Sequence, residues 1–142
     1  MNSSEKREMM IDHYDNPRNR GLIDNEEYKK VNMNNESCID EVNVQLKLVG
    51  DIIEDIRFDG EACAICISSA SIMTETLKGK NINEINNILS NYTEMIEGNE
   101  FNEKVIENAV IYNDIYKQPN RKKCALLPWW GVEKIIEYYN KD

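Results

Sequence analysis

Four cysteines, Cys38, Cys63, Cys66 and Cys124, and one aspartate two residues after the first of them, Asp40, are the residues best suited by type and spacing to hold a soft metal or attack sulfur. Cys63 and Cys66 form a C-x-x-C pair, which serves as half of a zinc site, as a thioredoxin-like redox pair, or simply as packing on a helix. A zinc ribbon or finger needs a second C-x-x-C or an H-x₃₋₅-H, and the sequence has neither. Cys38 and Asp40 are i and i+2, so in an extended segment a thiolate and a carboxylate point the same way and can share a metal. Taken alone, Asp40 reads first as a turn carboxylate bonded to backbone. Cys124 follows Arg121-Lys122-Lys123, and nearby cations favour the thiolate; the plainer alternative is a solvated basic loop beside a buried cysteine. A Cys38/Asp40/Cys63/Cys124 set would complete a tetrahedral zinc site, or hold an iron–sulfur cluster that the weaker carboxylate keeps labile. The single histidine, His13, lies near a helix end, where packing or capping is expected before a metal role.

Composition limits the partners. The 142 residues carry 17 basic and 26 acidic side chains, a net charge of −9, which argues against a nucleic-acid backbone or an anionic membrane as ligand. No apolar run approaches the ~20 residues of a membrane-spanning helix, and the first residues lack the apolar core of a signal peptide. The expectation is a cytoplasmic protein in a reducing compartment, where cysteines serve metal or redox chemistry more than disulfides. Length, and the lack of repeats or a linker, suggest a single domain over residues 1–142.

The elements that must position these residues follow from periodicity. A helix is expected from about Ser4 to Tyr14, capped by Ser3 or Ser4 and stopped by Asn16-Pro17. Tyr28 to Met33 reads as a short strand, and Asn34 to Ser37 as a polar turn leading into Cys38. Glu41 to Val49 alternates cleanly, with Val42, Val44, Leu46 and Leu48 on one face. Gly50-Asp51 turns the chain into a second strand, Ile52 to Phe58, expected to bury Ile52, Ile56 and Phe58. After Asp59-Gly60 the period becomes helical through Ile65, Ser69, Ile72, Met73 and Leu77, ending at Gly79. Cys63 therefore falls at or just before a helix N-terminus, where unpaired N–H groups stabilise a thiolate. Two more helices are expected at Asn83 to Tyr92 and Asn102 to Tyr112, with Thr93 to Glu100 as a polar connection. A loop from Tyr116 to Lys123 then precedes a last helix with Pro128 in its first turn. The fold class is α+β: an antiparallel sheet of about three strands packed against several helices. The ligands are expected at one exposed end, on two loops and a helix N-terminus.

Four ordered motifs carry a resemblance over nearly the whole length, from about Met10 to Tyr139. They are Asp12-His13-Tyr14-Asp15-Asn16-Pro17-Arg18-Asn19-Arg20-Gly21, then Asn35-Glu36-Ser37-Cys38-Ile39-Asp40. Next comes Phe58-Asp59-Gly60-Glu61-Ala62-Cys63-Ala64-Ile65, continuing to Ser69-Ala70-Ser71 and Met73-Thr74, and last Arg121-Lys122-Lys123-Cys124-Ala125-Leu126-Leu127 with Trp129. In these the chain resembles the U-type iron–sulfur cluster assembly scaffolds, the IscU, SufU and NifU N-terminal family. It is most similar to the SufU branch, because Lys123 stands where IscU-type members carry His and the stretch between Cys63 and Cys124 is long. The resemblance implies a SufE/NifU-like fold and Cys38, Asp40, Cys63 and Cys124 as ligands of zinc or of a transient iron–sulfur cluster, 2Fe–2S before 4Fe–4S. It implies Cys38 as the acceptor of persulfide sulfur, with Cys124 as a candidate second acceptor. The implied partners are a SufS-like cysteine desulfurase and downstream apo iron–sulfur proteins or carriers. The alternative within the same resemblance is a zinc-dependent sulfurtransferase that activates the desulfurase without building clusters.

Three positions depart from the family pattern. Ile39 and Ala62 replace glycines next to the first and second ligand cysteines, and Cys66 stands where Ser is usual. Cys66 is a buried substitute for Ser, an alternate ligand or a resolving thiol; its place one helical turn beyond Cys63 favours the first.

Overall fold

A computed structural model describes residues 1–35 and 39–140. The order is α1 (Ser3–Asp15), β1 (Lys29–Asn34), β2 (Glu41–Val49), β3 (Ile52–Glu61), α2 (Ala64–Leu77), α3 (Ile82–Ile96) and the short α4 (Glu103–Ile106). Three 3₁₀ turns, Glu107–Tyr112, Ile115–Lys117 and Pro119–Arg121, lead into α5 (Lys122–Asn140). The strands form one antiparallel sheet in the order β1-β2-β3, as the alternation predicts. One sheet face and the helices enclose a single apolar cluster running from Met33 to Ile136. The α+β architecture is the expected one.

Most departures lie at element ends. The α1 cap is Asn2 rather than Ser3 or Ser4: its side chain accepts from Glu5 N–H while the Glu5 carboxylate accepts from Asn2 N–H. In β3 the expected core residue Ile52 is exposed and Ile53 is fully buried instead. The register explains it. Lys47 faces Asp55 but Leu48 faces Ile53, so a bulge at Glu54 shifts the alternation by one residue. The outer edge of β3 is covered by the chain before β1: Phe58 N–H donates to Asn19 O at 3.2 Å and Gly21 N–H donates to Phe58 O at 2.8 Å. Gln45, expected on the polar face, is buried because its amide exchanges two hydrogen bonds with the Ile23 backbone.

Helix α3 runs on to Ile96, burying Met95 and Ile96 from a segment expected to be a polar connection. The expected helix at 102–112 breaks after Ile106, where Glu107 takes a left-handed φ of +51°. The last helix starts at Lys122, not at Pro128, which lies inside it. Proline offers no N–H to the carbonyl of Cys124 four residues earlier, yet burial of Leu126, Leu127 and Trp129 around it holds the helix together.

Helix α2 is the centre of the molecule, buried on nearly every side from Cys66 to Leu77 except at Glu75. Its serines and threonines supply hydrogen bonds in place of bulk. Ser69 Oγ donates to the Ala125 carbonyl at 2.7 Å and accepts from Trp129 Nε1 at 2.9 Å. The Tyr92 hydroxyl donates to the same carbonyl at 2.8 Å, and its ring stacks on Trp129 with centroids 3.9 Å apart. Helices α2, α3 and α5 are thereby locked together beside Cys124.

A candidate metal centre

Asp40 enters the site from the start of β2. Asn35 N–H donates to Asp40 O at 3.1 Å, and Asp40 is 1% exposed. Its Oδ1 accepts from Cys63 N–H at 2.8 Å, and Oδ2 lies 3.7 Å from Cys63 Sγ. The carboxylate thus does for α2 what a capping side chain does elsewhere: Cys63 is the N-cap residue, extended at φ −67° and ψ 166°, and makes no cap bond of its own. Cys63 is partly exposed, placed where β3 ends and α2 begins. Cys124 is buried in the first turn of α5, so it arrives on a helix and not on the expected loop.

These three residues form the one cluster of potential metal ligands among the described residues, with a carboxylate oxygen and two sulfurs all within 4.8 Å of one another. Tetrahedral zinc, with bonds of about 2.0–2.3 Å, wants its donor atoms roughly 3.3–3.8 Å apart, so small side-chain rotations bring the set to that geometry. Electrostatics point the same way. Burial, a hydrogen bond to Asp40 and the neighbouring Cys63 push the Cys124 thiol far above its ordinary range. A second thiolate is unwelcome beside a carboxylate in a dry site, and a cation among the donors reverses that balance. The donor set therefore fits a thiophilic divalent metal or an iron centre.

Of the other expected site residues, Cys38 lies outside the described residues, as does the end of the polar turn before it. Cys66 is fully buried in the first turn of α2 and is not part of the three-residue cluster. Burial first, then the nearby Cys66 and Cys63, raise the pKa of the Tyr112 hydroxyl, which pairs with Ser68 Oγ. His13 is 3% exposed between α1 and α2, its Nδ1 2.7 Å from Ser71 Oγ and its Nε2 3.6 Å from a Glu75 oxygen. Its role is packing. Ile39, beside Asp40, is 89% exposed, and Lys123 is exposed next to Cys124.

The sequence reading missed the residues that hold Cys124 in place, namely Ser69 and Tyr92, which converge on the Ala125 carbonyl, and Trp129, which donates to Ser69. The available signal was two aromatic residues with polar atoms, expected in the core and needing partners there.

The NifU-like N terminal domain model matches residues 5–92. The chain belongs to this family. It is 38% identical over 131 residues to the zinc-dependent sulfurtransferase SufU of Bacillus subtilis (strain 168), covering 92% of this chain and 88% of that protein. It is 32% identical over 134 residues to the iron–sulfur cluster assembly scaffold protein IscU of Thermotoga maritima, covering 92% and 91%. Among solved structures it is similar to a putative iron–sulfur cluster assembly scaffold protein for the SUF system from Fervidobacterium islandicum AW-1. That match has a TM-score of 0.82 at 34% identity, over 89% of this chain and 92% of the other. The family and the sheet-plus-helices fold are those expected from the motifs.

Proposed function

We propose that this protein is an iron–sulfur cluster assembly scaffold that accepts persulfide sulfur from a cysteine desulfurase and carries metal or a labile cluster at Cys38, Asp40, Cys63 and Cys124. The observation that carries this reading is the convergence of Asp40, Cys63 and Cys124, drawn from three distant parts of the sequence, within 4.8 Å. Cys38, two residues before Asp40, supplies the fourth ligand and the sulfur acceptor. Its thiolate attacks the outer sulfur of the desulfurase persulfide, and the desulfurase cysteine leaves as a thiolate. Cys124 is the second candidate acceptor, although its burial makes it the slower one. A set of three thiolates and one carboxylate binds zinc at rest, or a 2Fe–2S cluster in preference to 4Fe–4S during assembly. The protein works in the cytoplasm, without nucleic acid or membrane; among the described residues no helix is long and apolar enough to cross a membrane. Apo iron–sulfur proteins or carriers receive the product.

A second reading, a zinc-dependent sulfurtransferase that activates the desulfurase without building clusters, is favoured by the similarity to a relative of that name and by the exposed Lys123 beside Cys124. One set of measurements separates them. Metal analysis of protein purified without added metal is followed by reconstitution with iron and sulfide and by an assay of alanine release by the desulfurase. A transferable cluster supports the scaffold; acceleration by zinc-loaded protein with no transferable cluster supports the sulfurtransferase. Both fail if Cys38→Ser leaves the two activities at wild-type level, or if Cys63→Ser and Cys124→Ser leave the metal content unchanged.

A further inference from the structure

Cys66 sits directly behind a proposed ligand without belonging to the ligand cluster. Cys63 occupies the N-cap of α2 and Cys66 is the third residue into the helix. An N-cap side chain lies within reach of the residue three further on, as where the Asn2 side chain accepts from Glu5 N–H at the start of α1 and that of Asn81 accepts from Glu84 N–H at the start of α3. At the start of α2 the equivalent pair is two thiols. They differ in access, Cys63 being partly exposed and Cys66 wholly buried. An exposed thiol at a helix N-terminus with a second one three residues behind it is the arrangement in which a C-x-x-C pair closes most readily, because i and i+3 side chains are neighbours.

We propose that Cys63 and Cys66 form a reversible disulfide that competes with metal for Cys63, making metal retention sensitive to low-molecular-weight disulfides. This rests on the assignment of Cys63 as a ligand. The oxidant is a small disulfide such as oxidised glutathione. The Cys63 thiolate attacks one of its sulfurs, the glutathione S–S bond breaks, and one glutathione thiolate leaves. Cys66 then gives its proton to solvent and its sulfur attacks Cys63 Sγ, expelling the second glutathione as thiolate. The protein loses two electrons and two protons, and the small disulfide is reduced to two thiols. Bound metal blocks the first step by occupying the Cys63 sulfur. The closed disulfide removes one of the four proposed ligands, and the remaining three-donor set of Cys38, Asp40 and Cys124 holds the ion more weakly.

The test uses the full chain with zinc bound and after chelation, each incubated with oxidised glutathione, alkylated and analysed by mass spectrometry beside a metal assay. The chelated protein is expected to lose two hydrogen atoms, with both cysteines protected in the single peptide containing them. The zinc-loaded protein is expected to react at least tenfold more slowly, and to lose zinc as the disulfide appears. Cys66→Ser, a near-isosteric change, is expected to stop at a glutathione adduct on Cys63; Cys66→Ala provides the same readout should the serine variant misfold. The proposal is overturned if wild-type protein also stops at that adduct, if Cys63 pairs with another cysteine, or if zinc-loaded and chelated proteins react equally fast. Protein that binds no zinc yet forms the Cys63–Cys66 link overturns the ligand assignment and leaves the pairing standing, so the two failures are distinguishable.

Discussion

Gly60 holds the two ends of the sheet that carry Asp40 and Cys63, and replacing it with alanine is the sharpest single perturbation of the centre. It pairs with Val42 at the end of the β2–β3 ladder, at φ +152°. A Cβ there would lie 2.1 Å from the Glu41 carbonyl oxygen and 2.9 Å from the Val42 Cα. Both are backbone atoms, so no side chain can swing aside and the strand ends must part by about 1 Å. The unfavourable φ costs roughly 1–3 kcal/mol, and two weakened ladder hydrogen bonds at about 1 kcal/mol each bring the total to roughly 3–5 kcal/mol. For a chain of this size that is a fall of about 10–15 °C in Tm. Asp40 directly precedes Glu41 and Cys63 follows Gly60 by three residues, so the same displacement stretches the 2.8 Å bond between Asp40 Oδ1 and the Cys63 N–H. Metal affinity should drop about 10–100-fold, the range seen when groups that orient ligands are lost. Gly50→Ala is the control: its φ is +63° but a Cβ there meets nothing within 4 Å, so it should cost roughly 1 kcal/mol and leave the metal untouched. Thermal melts with and without metal, and competition against a chromophoric chelator, measure both quantities. A Gly60→Ala protein that melts within about 3 °C of wild type and binds metal equally well would refute the reasoning.

Two other substitutions probe the packing behind the site. At Gly131 on α5 a Cβ would lie 3.1–3.3 Å from Val44 and Met33 side-chain atoms, so Gly131→Ala should be within about 1 kcal/mol of neutral, crowding being offset by helix propensity, whereas Gly131→Val should cost roughly 2–4 kcal/mol in urea unfolding. Burial chiefly, with help from the Arg18 charge, holds the His13 pKa below its ordinary 6.5. Between that depressed value and 6.5 the unfolded chain binds a proton that the native one refuses, so stability is complete above 6.5 and falls as the pH drops through this window. His13→Asn should flatten that part of the stability–pH curve, and an unchanged slope would show that His13 does not cause it.

The sheet and the central helix were legible because their signals are local. Alternation from Glu41 to Val49 and the change of period after Gly60 place Cys63 at a helix start with no tertiary information. Side-chain direction within β3 was not legible, since a bulge that skips Glu54 leaves no mark in composition yet exchanges Ile52 for Ile53 in the core. The start of α5 was hidden for a different reason. Pro128 is a good residue for a first helical turn, and the chain tolerates it inside the helix only because burial of Leu126, Leu127 and Trp129 outweighs one absent hydrogen bond. The cost of that misplacement was functional: it put Cys124 on a loop when it is fixed to a helix. No local pattern could have brought Asp40, Cys63 and Cys124 together, because only the packing of α2 and α5 and the β2–β3 register does so; the motif resemblance supplied that grouping.

Each candidate ligand among the described residues is held by a different device, and this bears on how a metal held there would be released. Asp40 is set by its backbone bond to Asn35 and by the N-terminus of α2, and Cys63 by the strand-to-helix change. Cys124 is fixed through the Ala125 carbonyl, where Ser69 and Tyr92 meet, and Trp129 braces that serine. Of these three candidate ligands, Asp40 and Cys124 are buried, while Cys63 keeps partial exposure. A metal that bridges three separately anchored elements stabilises the fold by mass action, and a ligand withdrawn from it loosens the ion without unfolding the rest. Among the described residues, release of a metal held there would begin most cheaply at the partly exposed Cys63 thiol. Attack, exchange or oxidation at Cys63 changes the occupancy of the centre while the buried carboxylate and the buried thiol keep its shape.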